Sequence, residues 1–392
     1  MKRLIIKRLG ILLTGAALLC GVSGCENEIP FVVEDDRELL VLNADLRTDV
    51  TTHVVYVGVS RVVEVDRAEG ARVLCYVNGK LAAEGVQAKE ERVNGDGYYE
   101  SKPTEETLRM LEEAGLDRYV LYGPSTVFLM EVQFRPGDQV KIEAVRGNDH
   151  AYAEVVVPEA PKVLSVTPEK IYVRQYEDIY PCISFAVRLE DRPGTDDYFR
   201  IGMGSDVRQT FHFRDEAGVT LRPDTTLFYG RDFRPEIGRD PILNDGYTFE
   251  NFENDFFADF NATNTARIFS DRLFSGSECT VKPFADSSEF TPRFYNWTAY
   301  APDGEMCSSS GFEADPTAVV KVMAISRMHY AYYKALNNGE VFGFDTNPIV
   351  EPVALPSNVE GGLGFVGIAS TASVRVEMPR VTEKDIHWTP MY

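Results

Sequence analysis

The chain has 392 residues, of which 44% are apolar, 26% charged and 11% aromatic. That make-up suits a globular protein with a sizeable core and excludes wholesale disorder, collagen-like repeats and a disulfide-dense miniprotein. Sixty-one acidic against 40 basic residues leave a net charge of −21; without a clustered positive field, nucleic acid is not an expected partner.

The chain opens with Lys2, Arg3, Lys7 and Arg8, then an apolar run from Leu9 to Leu19, then Val22-Ser23-Gly24-Cys25. A basic region, an apolar region and small residues before a cysteine have the order of an export signal. The segment resembles a bacterial lipobox, which implies acylation of the Cys25 thiol, cleavage before it and a lipid-anchored mature chain. A single-pass helix is the weaker reading, because a bilayer span needs about 20 apolar residues and residues 9–22 supply 14. Losing four bases and no acid takes the charge to −25, so lipid, and not a basic patch, must hold the protein to the membrane. Residues 1–24 are therefore assigned to the signal peptide and 25–37 to a lipidated tether. The acidic Glu26, Glu28, Asp35 and Asp36 loosely resemble the tag that directs Bacteroidetes lipoproteins to the cell surface, and a solvated tether explains them equally well.

From residue 38 to about 160 the pattern is of short strands at 40–46, 53–59, 71–77, 127–134, 140–145 and 151–157, rich in Val, Ile, Tyr and Phe. Turn signals such as Asn78-Gly79 and Pro136-Gly137-Asp138 separate them, as in an immunoglobulin-like sandwich. One helix interrupts the series: Thr104 is the expected N-cap, Glu105 and Glu106 complement the helix dipole, and Gly115 stops it. Pro158, Pro161 and Pro168 mark a boundary near residue 160. Strands follow at 183–189, 198–203 and 318–325. A helix capped by Ser326 is expected to run to Leu336, with Met328, Tyr332, Ala335 and Leu336 on one face. The last strand-like stretch is 373–378. The expected architecture is mainly β, an N-terminal immunoglobulin-like β-sandwich (38–160) followed by a larger β-rich domain (161–392) with a few short helices.

Chemistry is sparse. His53, His150, His212, His329 and His387 are dispersed without metal-ligand spacing, and there is no Gly-x-Ser-x-Gly elbow. No catalytic residue is assigned and no metal ligand set emerges. Calcium is the one cofactor entertained, at Asn94-Gly95-Asp96-Gly97 or at Asn244, Asp245 and Glu250; a hairpin turn is the stronger reading of the first. Four cysteines follow Cys25, and Cys279 with Cys307 is the expected pair if a disulfide forms; Cys75, in an alternating stretch, reads as a buried small hydrophobe. The best claim to a ligand or partner surface belongs to a segment without Lys or Arg in which Tyr247, Phe249, Phe252, Phe256 and Phe257 alternate with acids. Burial of those rings is the competing explanation. Trp297 and Trp388 are the only tryptophans available to stack on a sugar, although 19 tyrosines offer further rings. Gly361-Gly362-Leu363-Gly364 lacks the Lys and the spacing of a phosphate loop and reads as a tight turn into a strand.

Phe269-Ser270-Asp271-Arg272-Leu273-Phe274-Ser275-Gly276, the Tyr-rich helix at Tyr330-Ala331-Tyr332-Tyr333 and Ser357-Asn358-Val359-Glu360-Gly361-Gly362-Leu363-Gly364-Phe365 together resemble the family of Bacteroidetes lipoproteins called domain of unknown function 4249. Leu40-Val41-Leu42-Asn43-Ala44 and Val155-Val156-Val157-Pro158 extend the likeness over most of the mature chain. The resemblance implies an outer-membrane lipoprotein working beside a TonB-dependent transporter and brings no catalytic residue with it. The expectation is thus a lipid-anchored, non-enzymatic accessory protein, its cell-surface side favoured over the periplasmic one, that binds a nutrient or a partner. A fimbrillin-like structural subunit, trimmed at Arg37 or Arg47 to release its first strand, is the alternative. A metal-dependent hydrolase stands third.

Overall fold

Alternation of buried and exposed side chains explains the first strands. In β1 (Leu39–Arg47) Leu40, Leu42, Ala44 and Leu46 point inward, and in β2 (Thr52–Ser60) Val55, Val57 and Val59 do the same, the period-2 pattern of a sheet with one buried face. A computed structural model describes residues 38–60, 65–94, 99–175, 178–245, 264–300, 304–342, 355–382 and 384. Residues 1–37, with the expected signal peptide, Cys25 and the expected tether, lie outside the described residues.

Four further strands, β3 (Arg72–Val77), β4 (Lys80–Glu84), β5 (Thr126–Glu131) and β6 (Gln139–Arg146), precede β7 (Asp149–Val156). Strands β1, β2 and β5 belong to one sheet, whereas β7, β6, β3 and β4 form, in that order, a second. Between the two lies a core that includes Leu42, Leu46, Val57, Phe128, Phe134 and Ile142, so this half is an immunoglobulin-like sandwich. Helix α1 (Glu105–Glu113) begins where expected: the Thr104 hydroxyl accepts the Thr107 N–H at 3.2 Å, and Leu111 is buried with Leu121 and Leu129.

The remaining chain supplies β8 (Lys162–Gln175), β9 (Asp178–Glu190), β10 (Tyr198–His212), β11 (Thr225–Phe233), β12 (Ile268–Ser270), β13 (Glu278–Val281) and β14 (Gly311–Ile325), then α2 (Arg327–Phe342) and β15 (Val366–Glu377). Its core includes Phe185, Ile201, Phe269, Phe290 and Val320. The chain is mainly β throughout.

The two halves share a sheet. Its order is β11-β10-β14-β15-β1-β2-β5, with short strands added along it. Residue 160 falls between the two cores, but β15 joins them: it pairs antiparallel with β14 through Ser370–Glu377 and parallel with β1 through Val366–Ala369. Val366 and Ile368 are buried in the N-terminal core and Val376 packs on the other. A segmental division at residue 160 therefore leaves β15 shared between the two halves. Just before β15, the Gly-rich stretch closes the sandwich by backbone bonding. Leu363 exchanges N–H···O bonds of 2.8 Å with Leu40 and Leu42, and Glu360 exchanges bonds with Tyr152. Gly361 has φ +72° and a Cβ there would lie 2.4 Å from the His150 carbonyl oxygen; at Gly364, φ +110°, it would lie 2.3 Å from that of Leu42. Only glycine permits that conformation and approach, as the turn reading of this stretch expected.

Candidate functional site

The outer face of the small sheet carries an open groove that can be built from the residues upward. Because Cys75, Ile142 and Ala153 point into the core, their neighbours Tyr76, Lys141, Glu143, Tyr152 and Glu154 must face outward. Register sets them in rows: Lys141 lies opposite Tyr76 on one side and Glu154 on the other, and Glu143 lies opposite Tyr152. An open groove of about 680 Å³ is lined by Tyr76, Gly79, Gln139, Lys141, Glu143 and Glu154, with Val140, Val155 and Val156 completing it. That volume lies in the range of small-molecule sites.

Its side chains hold one another in place. The Lys141 ammonium lies 4.5 Å from the Tyr152 ring centroid and 5.6 Å from that of Tyr76, within cation–π range, and 3.2 Å from a Glu143 oxygen. Glu143 also meets His150, and the Tyr152 hydroxyl donates to Glu360. Partial burial works against ionisation of Glu143, but hydrogen bonds from His150 and Lys141 and their charges hold its carboxyl below the usual carboxylate range. The Glu360 carboxylate beside Tyr152 raises the phenol. Glu360 lies 208 residues from Tyr152, so this rim is assembled by the Gly-rich closure and not by local sequence.

A second concentration of polar groups lies where α2 crosses the shared sheet. Arg200 of β10 donates to Asp45 of β1 at 3.1 Å and to the Tyr333 hydroxyl at 2.8 Å, and Tyr333 donates to Asp45 at 2.5 Å. His329 is 2% exposed; its Nε2 is 3.6 Å from Asp45 and its Nδ1 has no hydrogen-bond partner. Burial pushes the imidazole down to about 4, against the pull of Asp45 and with help from Arg200, so it is neutral at pH 7. Desolvation alone would raise Asp45, but His329, Arg200, the Tyr333 hydroxyl and Arg47 hold its carboxyl below the ordinary value. The imidazole stacks on Tyr333 at 4.7 Å and 20° and is covered by Phe365. A sealed, neutral ring of this kind fastens a helix to a sheet, and a general base needs access to a proton on a substrate.

Met328 is 46% exposed, whereas His329, Tyr333 and Asn337, four residues apart, form the inward stripe. The apolar face expected from Met328, Tyr332, Ala335 and Leu336 is thus rotated, because its most buried members are polar and a hydrophobic pattern does not register them. The tyrosines are packing residues as expected: Tyr332 stacks on Phe365 at 4.2 Å and 7°.

The expected disulfide is absent. Cys279 and Cys307 are both free: Cys279 is buried with Phe185 and Val281 in one core, and Cys307 packs near Phe211 and Phe312 in a separate cluster. Cys75 and Cys182 are also free, Cys75 fully buried. Tyr247, Phe249, Phe252, Phe256 and Phe257 lie outside the described residues, as do Glu250 and residues 95–98. Asp245 of the second candidate calcium set takes hydrogen bonds from the Ser270 N–H, the Ser270 hydroxyl and the Tyr330 hydroxyl, so its oxygens are occupied by protein donors. Among the described residues, no group of three or more His, Cys, Asp or Glu is arranged to hold a metal ion. The groove has no contiguous motif in the sequence, its lining residues coming from separate strands. The signal that marks it is the outward register of Tyr76, Lys141, Glu143, Tyr152 and Glu154 on neighbouring strands.

Residues 26–375 match the family model described as Domain of unknown function (DUF4249). No curated protein sequence matches the chain. Among solved structures, "BspA_C_WT" is 10% identical, with 73% of this chain and 95% of that one covered at a TM-score of 0.15. "Enterococcal surface protein, partial N-terminal region" is 9% identical, with 74% and 90% covered at 0.16. "Streptococcus agalactiae AgI/II polypeptide BspA C terminal domain (WT)" is 9% identical, with 73% and 95% covered at 0.14. Superpositions of this quality carry no functional argument.

Proposed function

The chain belongs to the family of domain of unknown function 4249, and from that premise we propose that it is a lipid-anchored outer-membrane accessory protein, non-enzymatic, that binds a nutrient or partner beside a TonB-dependent transporter. Cys25 carries the lipid, residues 25–37 form the tether, and the body faces the cell-surface side. The observation that carries the binding role is the groove on the outer face of the small sheet, whose charged and aromatic groups are pre-positioned by one another on rigid strands, as recognition requires. The sealed state of His329 supports a binding role over a hydrolytic one. A strand-releasing fimbrillin is disfavoured by the place of β1, hydrogen-bonded on one side to β2 and on the other to β15. Trimming at Arg47 would withdraw an interior strand of the shared sheet.

The test is recovery of the tagged, lipidated protein from native outer membranes in mild detergent, with mass spectrometry of its partners. A transporter in near-equal amount is the expected result. Recovery of the protein alone, in ladders, would replace this reading with the structural one, and recovery of neither would sink both. Cys25→Ala should release the protein from the membrane fraction.

A further inference from the structure

The groove also has a chemistry that selects among ligands. Its charges comprise Lys141 against Glu143 and Glu154, with Glu360 and His150 at the rim. The carboxylates outnumber the ammonium, and in a protein of net charge −21 they repel an anionic ligand. A cationic ligand meets the opposite obstacle. The Lys141 ammonium already stands among the carboxylates, 4.5 Å from the Tyr152 ring centroid and paired with Glu143, in the place a second cation would take. A long apolar ligand would have to strip water from Lys141, Glu143 and Glu154 without replacing their hydrogen bonds, at a cost for each.

What remains is a neutral ligand with hydroxyl groups that both donate and accept, and C–H faces that lie against an aromatic ring. We propose that the outer face of the β7-β6-β3-β4 sheet binds a neutral oligosaccharide, with Tyr76 as the platform for a sugar ring and Lys141, Glu143 and Glu154 as partners for its hydroxyls. Gln139 extends the polar lining towards the Asn78-Gly79 turn, where its N–H is fixed by the Asn78 side chain at 3.0 Å. The open groove admits a chain and not only a single ring, its about 680 Å³ falling within the range for bound organic ligands. This inference deepens the binding role proposed above and names the ligand class for the same face.

The mature full-length protein is titrated calorimetrically with maltohexaose, cellohexaose, xylohexaose and mannohexaose, with a galacturonic acid trimer and hexalysine as charged controls. At least one neutral hexaose should bind. Tyr76→Ala should weaken it about tenfold or more, the scale of losing one aromatic anchor. Glu154→Gln, an exposed and nearly isosteric change, should weaken it less, and Phe228→Ala, at an exposed ring on another strand, should leave it unchanged. Thermal melts of each variant separate loss of binding from loss of fold. The proposal is overturned if no neutral hexaose binds, if only a charged control does, or if Tyr76→Ala and Glu154→Gln both bind as the parent does. The same variants enter the membrane recovery experiment. A transporter retained without glycan binding would sink this inference alone, and glycan binding without a transporter would sink only the accessory reading.

Discussion

The two halves of the molecule solve burial differently. Among the described residues of the N-terminal sandwich the interior is almost wholly apolar, and the buried polar side chains are few, His53, Thr107 and Thr126. Lys141, Glu143 and Glu154 of this half lie on its outer face, where they line the groove. The C-terminal half buries Asp191, Asp197, Gln209, Asp240, Asn264, Asp271, His329 and Asn337 and uses several as pins for loops. Asp240 accepts the Ile242 N–H at 2.9 Å, that of Leu243 at 3.2 Å and that of Lys282 at 2.7 Å. Asn264 donates to the Leu243 and Ile268 carbonyls and accepts the Ile268 N–H. The difference has a physical basis: short strands joined by tight turns satisfy their backbone within the sheets, whereas long connections have orphan N–H and C=O groups that buried side chains must answer. The open groove therefore lies on the half with the apolar interior, and the buried polar pins lie in the other.

Asn264→Leu should break the C-terminal half most severely. It removes partners from buried backbone groups, each worth about 1–3 kcal/mol when left unsatisfied, so chemical denaturation should show a loss of about 4 kcal/mol. A matched core change in the sandwich, Ile142→Val, should cost only about 1 kcal/mol. Comparable losses would erase the contrast. Gly367→Val tests the seam between the halves. A Cβ at Gly367 would lie 2.4 to 2.6 Å from atoms of the His329 ring, and overpacking of this kind costs about 3 kcal/mol. Its melting temperature should fall well below that of Gly70→Val, where nothing lies within 4 Å of the added Cβ and only the positive φ of +74° is strained.

Acid should act on both halves through one histidine each. Burial lowers His53 to about 4, opposed by its bond to the Val132 carbonyl, and lowers His329 likewise. A folded-state value below the ordinary one favours the neutral ring. The stability each lends is therefore whole above about pH 6.5 and is lost as pH falls towards 4, on the order of 3 kcal/mol apiece at full protonation. Denaturation midpoints followed over that window should show uptake of about two protons on unfolding, and His53→Gln or His329→Gln should each remove one. An unchanged slope in both variants would overturn the assignment. The smallest effects are expected at the thiols and the groove. Burial pushes the Cys75 and Cys279 thiols up to about 12, so maleimide should label Cys307 first in the native protein, and reductant should leave the melting temperature unchanged. Tyr76→Ala, which strips a ring from the sandwich's outer face, should change stability by less than about 1 kcal/mol while it weakens the proposed glycan binding.

Legibility in the sequence follows the same division. Strands such as 40–46 and 140–145 were readable because one face is wet and the other dry, and Thr104 announced α1 because a cap is a local bond. The last strand was readable only from residue 373. Its outer part, Ser373 to Glu377, alternates with exposure, but Val366 to Ser370 is buried on both faces and has no period-2 signature to detect. In α2 the buried stripe of His329, Tyr333 and Asn337 is polar, so an apolar pattern pointed to the wrong face. Cys279 and Cys307 share a region of chain, but the fold puts them in different clusters.

By itself, the sequence determined that this is a mainly β chain with a sandwich in its first half and a helix capped at Thr104, because each of those properties is set by residues within about ten positions of one another. Only the tertiary structure decided that β15 returns to pair with β1, that Glu360 meets Tyr152, and that Arg200, Asp45 and His329 converge. Those contacts join residues far apart in the chain, and their selection depends on which strands share a sheet and in which register, a property of the whole fold.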